Sequence, residues 1–198
     1  VVELHAVLLA AGGSSRLGRA KQLLEFRGEA LVRRAARLLL QLTPRVSVVT
    51  GARATQVGEA LEGLGVNLRH NARWREGIGR SIALATRDFE AGTRAALVML
   101  CDQYLLEEDD LQRLVLDWRS EPTRITAARW DDNFGPPVIF PSRFFQHLGR
   151  LRGDLGARWL LVEQRARVNY VDLPRAARDV DDATDLARLR ELDDTAGG

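Results

Sequence analysis

Between Leu8 and Lys21 an apolar run, Leu8-Leu9-Ala10-Ala11, empties into Gly12-Gly13-Ser14-Ser15-Arg16-Leu17-Gly18-Arg19-Ala20-Lys21. An apolar stretch that stops at paired glycines reads as a buried strand followed by a tight loop, and a strand buried on both faces needs helices over its sheet. The rest of the chain repeats that alternation. Strands are expected at 7–10, 46–50, 66–69, 95–100, 124–128 and 167–173, and helices at 28–40, 55–64, 107–118 and 142–148. Strand and helix in turn predict an α/β fold: a single-domain, three-layer α/β/α sandwich with a mostly parallel central sheet. Pro136 and Pro137 direct their segment to an edge or a turn, since proline donates nothing to a ladder. The domain is expected to span 1–192, with 193–198 a frayed tail.

The loop suits a polyphosphate. Gly12 and Gly13 allow close backbone approach to an anion, while Arg16 and Lys21 supply charge. Of 29 basic residues 28 are arginines, so Lys21 is the sole lysine. A compact ammonium is what a point-charge phosphate ligand requires. Two common glycine motifs are absent. Gly13 and Gly18 have P-loop spacing, but Arg19-Ala20 follow, and Ser14 stands where a dinucleotide fingerprint needs its second glycine. On the residues alone, a strand-to-helix turn with two solvated charges remains open.

At 198 residues, 45% hydrophobic and 28% charged, the chain is long enough to bury a core. No apolar stretch approaches a membrane span and no leader pattern precedes the first strand, so a cytoplasmic enzyme with no membrane partner is expected. Net charge is +2 and the arginines are scattered, which is no nucleic-acid footprint. Cys101 reads as a small core residue.

Downstream, Asn71-x-x-Trp74-x-x-Gly77 leads to Ser81, where small residues leave a helix start open to a base edge; a plain serine cap is the other reading. Cys101-Asp102-Gln103 ends the most apolar strand and puts a carboxylate where open α/β sheets bind ligands, unless Asp102 caps the next helix. Then come Phe134-Gly135-Pro136-Pro137, the run Gly153-Asp154-Leu155-Gly156-Ala157-Arg158, and Asp179-Val180-Asp181-Asp182-Ala183-Thr184-Asp185. Asp154 could equally cap a helix, Arg158 form a surface ion pair, and the final acids answer a helix dipole.

Taken in order, these blocks resemble the molybdenum cofactor cytidylyltransferase (MocA-like) branch of the MobA-like NTP transferases. That family carries Leu-Ala-Ala-Gly-x-Ser-x-Arg-x-Gly-x-x-Lys, Asn-x-x-Trp-x-x-Gly-x-x-x-Ser, Cys-Asp-Gln-Pro, Arg-Gly-x-Pro-Val-x-Phe, Leu-x-Gly-Asp-x-Gly-Ala-Arg and Asp-Ile-Asp-Thr-Pro-Glu-Asp-Leu. Here Tyr104 replaces the proline after Gln103, Phe134 replaces an arginine, and Asp182-Ala183 replace Thr-Pro. The resemblance implies a Rossmann-like nucleotidyltransferase that moves CMP from CTP to a molybdopterin-type acceptor and releases pyrophosphate, with a recipient molybdoenzyme downstream. It assigns nucleotide binding to Leu8, Ala10, Ala11, Gly12, Gly13, Ser14, Arg16, Lys21, Asn71, Gly77 and Ser81. Acceptor binding falls to Gly135, Pro137, Gly153, Asp154 and Arg158, and Mg²⁺ binding to Asp102 and Asp181. Arg16, Lys21 and Asp102 are its catalytic set. Another NTP such as GTP, another phosphorylated acceptor, or a non-catalytic delivery module are the competing expectations. An NAD-dependent oxidoreductase is disfavoured by the missing fingerprint.

Overall fold

The computed structural model describes residues 3–14, 17–154 and 156–196. The first strand, β1 (Leu4–Ala10), is buried along its whole length. Its pleat sorts the core: Ala6, Leu8 and Ala10 join one apolar cluster, Val7 and Leu9 another. The short strands β2 (Glu25–Phe26) and β3 (Glu29–Ala30) form a hairpin around Arg27 and Gly28, both at positive φ. Gly28 therefore turns a hairpin rather than opening a helix, and α1 (Leu31–Leu42) begins after it.

The remaining elements are β4 (Val46–Thr50), α2 (Ala54–Ala60), β5 (Asn67–His70), α3 (Ile78–Ala85), β6 (Ala95–Leu100), α4 (Glu108–Ser120), β7 (Ile125–Trp130), β8 (Asn133–Pro141), α5 (Phe145–Arg150), α6 (Ala157–Glu163), β9 (Val168–Asp172) and α7 (Ala183–Ala196). Seven strands form one sheet in the order β5-β4-β1-β6-β8-β7-β9. Among the described residues of this sheet only β8 runs antiparallel to its neighbours, and the other pairings within it are parallel. Residues of α1, α2 and α4 pack on one face of the sheet, and residues of α3, α5 and α6 on the other. The three-layer, mostly parallel architecture is thus the one that strand-helix alternation requires.

Two expectations need correction. Pro136 and Pro137 do not lie at an edge, because β8 sits inside the sheet between β6 and β7. The register explains how: Val138 pairs with Ala127 and Gly135 with Ala128, so both prolines occupy a bulge, and β6 pairs only with 138–141. Their missing N–H groups are not needed there. Nor does the chain fray at Asp193. Helix α7 continues to Ala196, and the Asp193 carboxylate accepts a hydrogen bond from the Arg27 backbone N–H, which ties the helix to the β2–β3 hairpin. Leu189, Phe26, Tyr104 and Val180 add a small apolar cluster beneath it. Among the described residues no helix is long and apolar enough to cross a membrane.

Candidate active site

From β1 the chain moves outward to β4 and β5, then returns to lay β6 on the other side of β1. The loops after β1 and β6 consequently leave in different directions and open a crevice at their carboxyl ends, the usual ligand position in such sheets. Leu9 is paired with Leu100 and accepts a bond from the Cys101 N–H, so the glycine loop and Asp102 emerge side by side.

Lys21 and Asp102, distant in sequence, meet there. The Lys21 ammonium contacts Asp102 Oδ2 and lies 3.1 Å from Asp181 Oδ1. Oxygens of Asp102, Asp179 and Asp181 all fall within 4.8 Å of one another. Burial pulls Lys21 toward the neutral form, but the two carboxylates outweigh it and hold its pKa above the ordinary lysine value. Asp179 is pushed up to about 6, first by burial and then by the charges of Asp102 and Asp181. Cys101 is buried beside them, and desolvation raises its thiol far above its ordinary value, consistent with a packing role.

Sequence alone does not sort the acids at 179–185, whereas their bonds do. Asp182 accepts the backbone N–H groups of Thr184 and Asp185, and Asp185 accepts those of Asp181 and Asp182, so these two close the start of α7. Asp179 and Asp181 join the cluster instead. Asp179 is the functional candidate that the sequence reading missed; its place in the same motif was the available signal. Asp102 does not cap a helix, because Glu107 and Asp110 form a reciprocal cap on α4. Tyr104 does not loosen the turn: it is buried against Phe26, and its N–H donates to the Asp102 carbonyl. Gln103 pins the same turn by donating to the carbonyls of Pro136 and Ala176.

A cleft of ≈ 200 Å³ runs along this meeting point, lined by Ala10, Ala11, Gly12, Lys21, Ser81 and Asp102 of the expected set, with Leu9, Gln22, Trp74, Ile78, Leu100 and Cys101 added. Gln22 is almost fully buried, and its amide donates to the carbonyls of Ala10 (3.1 Å) and Gly12 (2.5 Å). It thereby ties the two ends of this part of the loop together at the cleft. The Ser14 hydroxyl accepts the Lys21 N–H at 3.1 Å and closes the loop. Around Gly12 a Cβ would meet open space, but at Gly13 it would come within 2.7 Å of the Trp74 ring, so Gly13 makes room for the cleft wall. The two leucines at the end of β1 face opposite ways. Leu8 is completely buried in the core on the α1 side, and Leu9, on the other face of the pleat, lines the cleft. Arg16 lies outside the described residues.

Asn71 and Ser81 act together: the Asn71 amide donates to the Ser81 hydroxyl at 3.0 Å, which fixes that hydroxyl at the cleft. Ser81 is not the helix cap, a position held by Gly77. Gly77 sits at φ 101°, and a Cβ there would lie 2.2 Å from the Gly153 carbonyl. Backbone contact between Gly153 and the start of α3, including a 2.9 Å bond from the Gly79 N–H, joins this cleft to a second one. That second cleft, of ≈ 500 Å³, is lined by Leu9, Ile78, Ile82, Leu100, Pro136, Asp154, Gly156, Ala157, Arg158, Trp159 and Val162. Of the expected acceptor residues, Asp154 and Arg158 line it. Gly153 supports its wall, and Pro136 rather than Gly135 or Pro137 faces it. Asp154 does not cap α6, whose cap is Gly156. The Arg158 guanidinium lies 5.3 Å over the Phe134 ring and makes no ion pair among the described residues. Ile78, Trp159 and Val162 are large apolar side chains left exposed around this cleft.

Residues 6–168 match the MobA-like NTP transferase domain. The chain is 29% identical over 191 residues to purine catabolism protein PucB of Bacillus subtilis, covering 90% of each. It is 33% identical over 203 residues to nicotine blue oxidoreductase of Paenarthrobacter nicotinovorans, covering 92% of this chain and 94% of that one. Among solved structures, Rv0371c of Mycobacterium tuberculosis is 28% identical with a TM-score of 0.80, over 96% of this chain and 99% of that one. A structure of the same mycobacterial protein in complex with manganese gives 27% identity and a TM-score of 0.77 over the same shares.

Proposed function

Because the chain belongs to the MobA-like NTP transferase family, we propose that it transfers CMP from CTP to the phosphate of molybdenum-bearing molybdopterin and releases pyrophosphate. The observation that carries this reading is the meeting of the sole lysine with Asp102, Asp179 and Asp181 at the sheet's switch point. Three hard carboxylate oxygens close together suit Mg²⁺ or a similar ion, and the mycobacterial structure holding manganese is in keeping with that donor set. Asp102 and Asp181, with Asp179 beside them, would hold the metal, which when bound neutralises charge on the triphosphate.

The chain's own groups account for the rest. Backbone N–H groups of Gly12 and Gly13 and the side chains of Arg16 and Lys21 bind the triphosphate, while the Asn71–Ser81 pair offers a fixed hydroxyl to the base. Ala11, where the guanylyltransferase branch tends to carry glycine, lines the cleft and weakly favours cytidine. An acceptor phosphate oxygen forms a new bond to the α-phosphorus, the α–β bridging bond breaks, and its electron pair leaves with pyrophosphate. No strong base is needed, since the attacking phosphate is already anionic; catalysis is positioning and charge neutralisation. The adjoining cleft favours an acceptor that pairs an anionic group, met by Arg158, with a flat apolar body against Trp159 and Ile78. Such walls suit a pterin better than a sugar.

Pyrophosphate release, measured with CTP, GTP and ATP in the presence of purified molybdopterin cofactor, tests the reading. CTP-selective, metal-dependent release is expected. Release with GTP alone, or only with another phosphorylated acceptor, would move the chain to a sister activity. Tight nucleotide binding without turnover would make it a delivery module. The Paenarthrobacter relative is an oxidoreductase, which motivates one further arm, binding of NAD, for which none is expected because the loop lacks the dinucleotide fingerprint.

A further inference from the structure

The expected phosphate ligand, Lys21, is bonded to the expected metal ligands. Its ammonium touches Asp102 and lies 3.1 Å from Asp181. A divalent ion binds carboxylate oxygens at roughly 2.0–2.2 Å and carries twice the charge, so it and the ammonium cannot share the same two oxygens. Lysine's long stem and rotatable donors let the ammonium leave without moving backbone. Its own backbone N–H stays on Ser14, while Gln22 next to it remains anchored to the loop carbonyls. The triphosphate is the anion that can receive the displaced charge.

We propose that Lys21 is an internal counter-cation that makes metal binding depend on the nucleotide: metal enters Asp102 and Asp181 as the ammonium moves from those carboxylates to the triphosphate. This rests on the nucleotidyl-transfer reading. Metal and nucleotide then bind cooperatively, and Asp102 and Asp181 face a cation whether or not a metal is held. A merely phosphate-binding lysine would weaken nucleotide binding when removed, but would not change the affinity for metal alone.

The test is Mn²⁺ binding, read by the loss of the free-ion electron paramagnetic resonance signal after subtraction of the Mn²⁺ held by nucleotide alone, with and without α,β-methylene analogues of CTP and GTP. Wild-type chain is expected to bind Mn²⁺ at least about tenfold more tightly with an analogue than without. Lys21→Met should bind Mn²⁺ alone at least about tenfold more tightly than wild type, and should gain less from the analogue. Lys21→Gln repeats the measurement with a polar side chain of no charge, should the methionine variant not fold. A Lys21→Met, Asp102→Asn double variant should lose the gain. If the single variants bind Mn²⁺ alone no better than wild type while the analogue still tightens it, the counter-cation role is wrong. Gain that survives in the double variant overturns it too, because the ion then sits elsewhere. If no analogue promotes Mn²⁺ binding to any form, the nucleotidyl-transfer reading itself fails.

Discussion

Asp179→Asn is expected to stabilise the folded chain, and to do so only at pH values above 3.8, where Asp179 of the unfolded chain ionises. Burial and the nearby Asp102 and Asp181 charges push its pKa from 3.8 to about 6. Between those values the native state holds a proton that the unfolded chain has released, so stability falls as pH rises through the window, and the penalty is complete above about 6. Roughly 2 units at about 1.4 kcal/mol each set a ceiling near ~3 kcal/mol, and solvent screening of a partly exposed group lowers this to about 1–2 kcal/mol. Asparagine keeps the volume and removes the charge. Urea unfolding in the presence of a chelator, from about pH 4.5 to about pH 8, should show the variant pulling ahead of wild type up to near neutrality and then holding a constant lead. Added Mg²⁺ should narrow that lead, since a bound cation relieves the same repulsion in wild type. Equal stability at about pH 8, or a lead that does not vary with pH, would refute the placement of Asp179 among like charges.

Asp102→Ala should cut pyrophosphate release by about 10²–10³-fold or more while far-UV circular dichroism stays native, because Asp102 caps no helix. Gln22→Met, close in volume but without donors, strands the buried carbonyl of Ala10 and releases that of Gly12; a loss of about 1–3 kcal/mol in urea unfolding and a raised KM for the nucleotide are expected. Gly77→Ala drives a Cβ into the Gly153 carbonyl at a positive φ and should cost about 2–4 kcal/mol, seen as a lower Tm. Arg158→Ala should raise KM for the acceptor and leave that for the nucleotide unchanged, and equal effects on both would place its guanidinium outside the acceptor cleft.

Much of this was legible in the chain itself. The apolar run at 7–10, the glycines after it and the strand at 95–100 announce a buried parallel sheet, because such strands need apolar residues on both faces and an open loop at the end. Lys21 and Asp102 stand out for the same reason, as polar groups placed where those strands stop. Ser81, Asn71 and Asp181 were found from motif order, yet their partners were not.

Long-range pairing decided the remainder. Whether two prolines sit at an edge or in an interior bulge depends on which strand comes alongside, and that information lies in β6 and β7 rather than in the proline segment. Four acids within seven residues, Asp179, Asp181, Asp182 and Asp185, look alike in sequence. Only the direction of α7 makes two of them caps and leads the other two to Asp102. Local residue chemistry dictated which elements form and where charge would be wanted. The pairing of β1 with β6 brought the lysine onto the carboxylates, because proximity across such a chain is a property of strand order that no stretch of sequence carries alone.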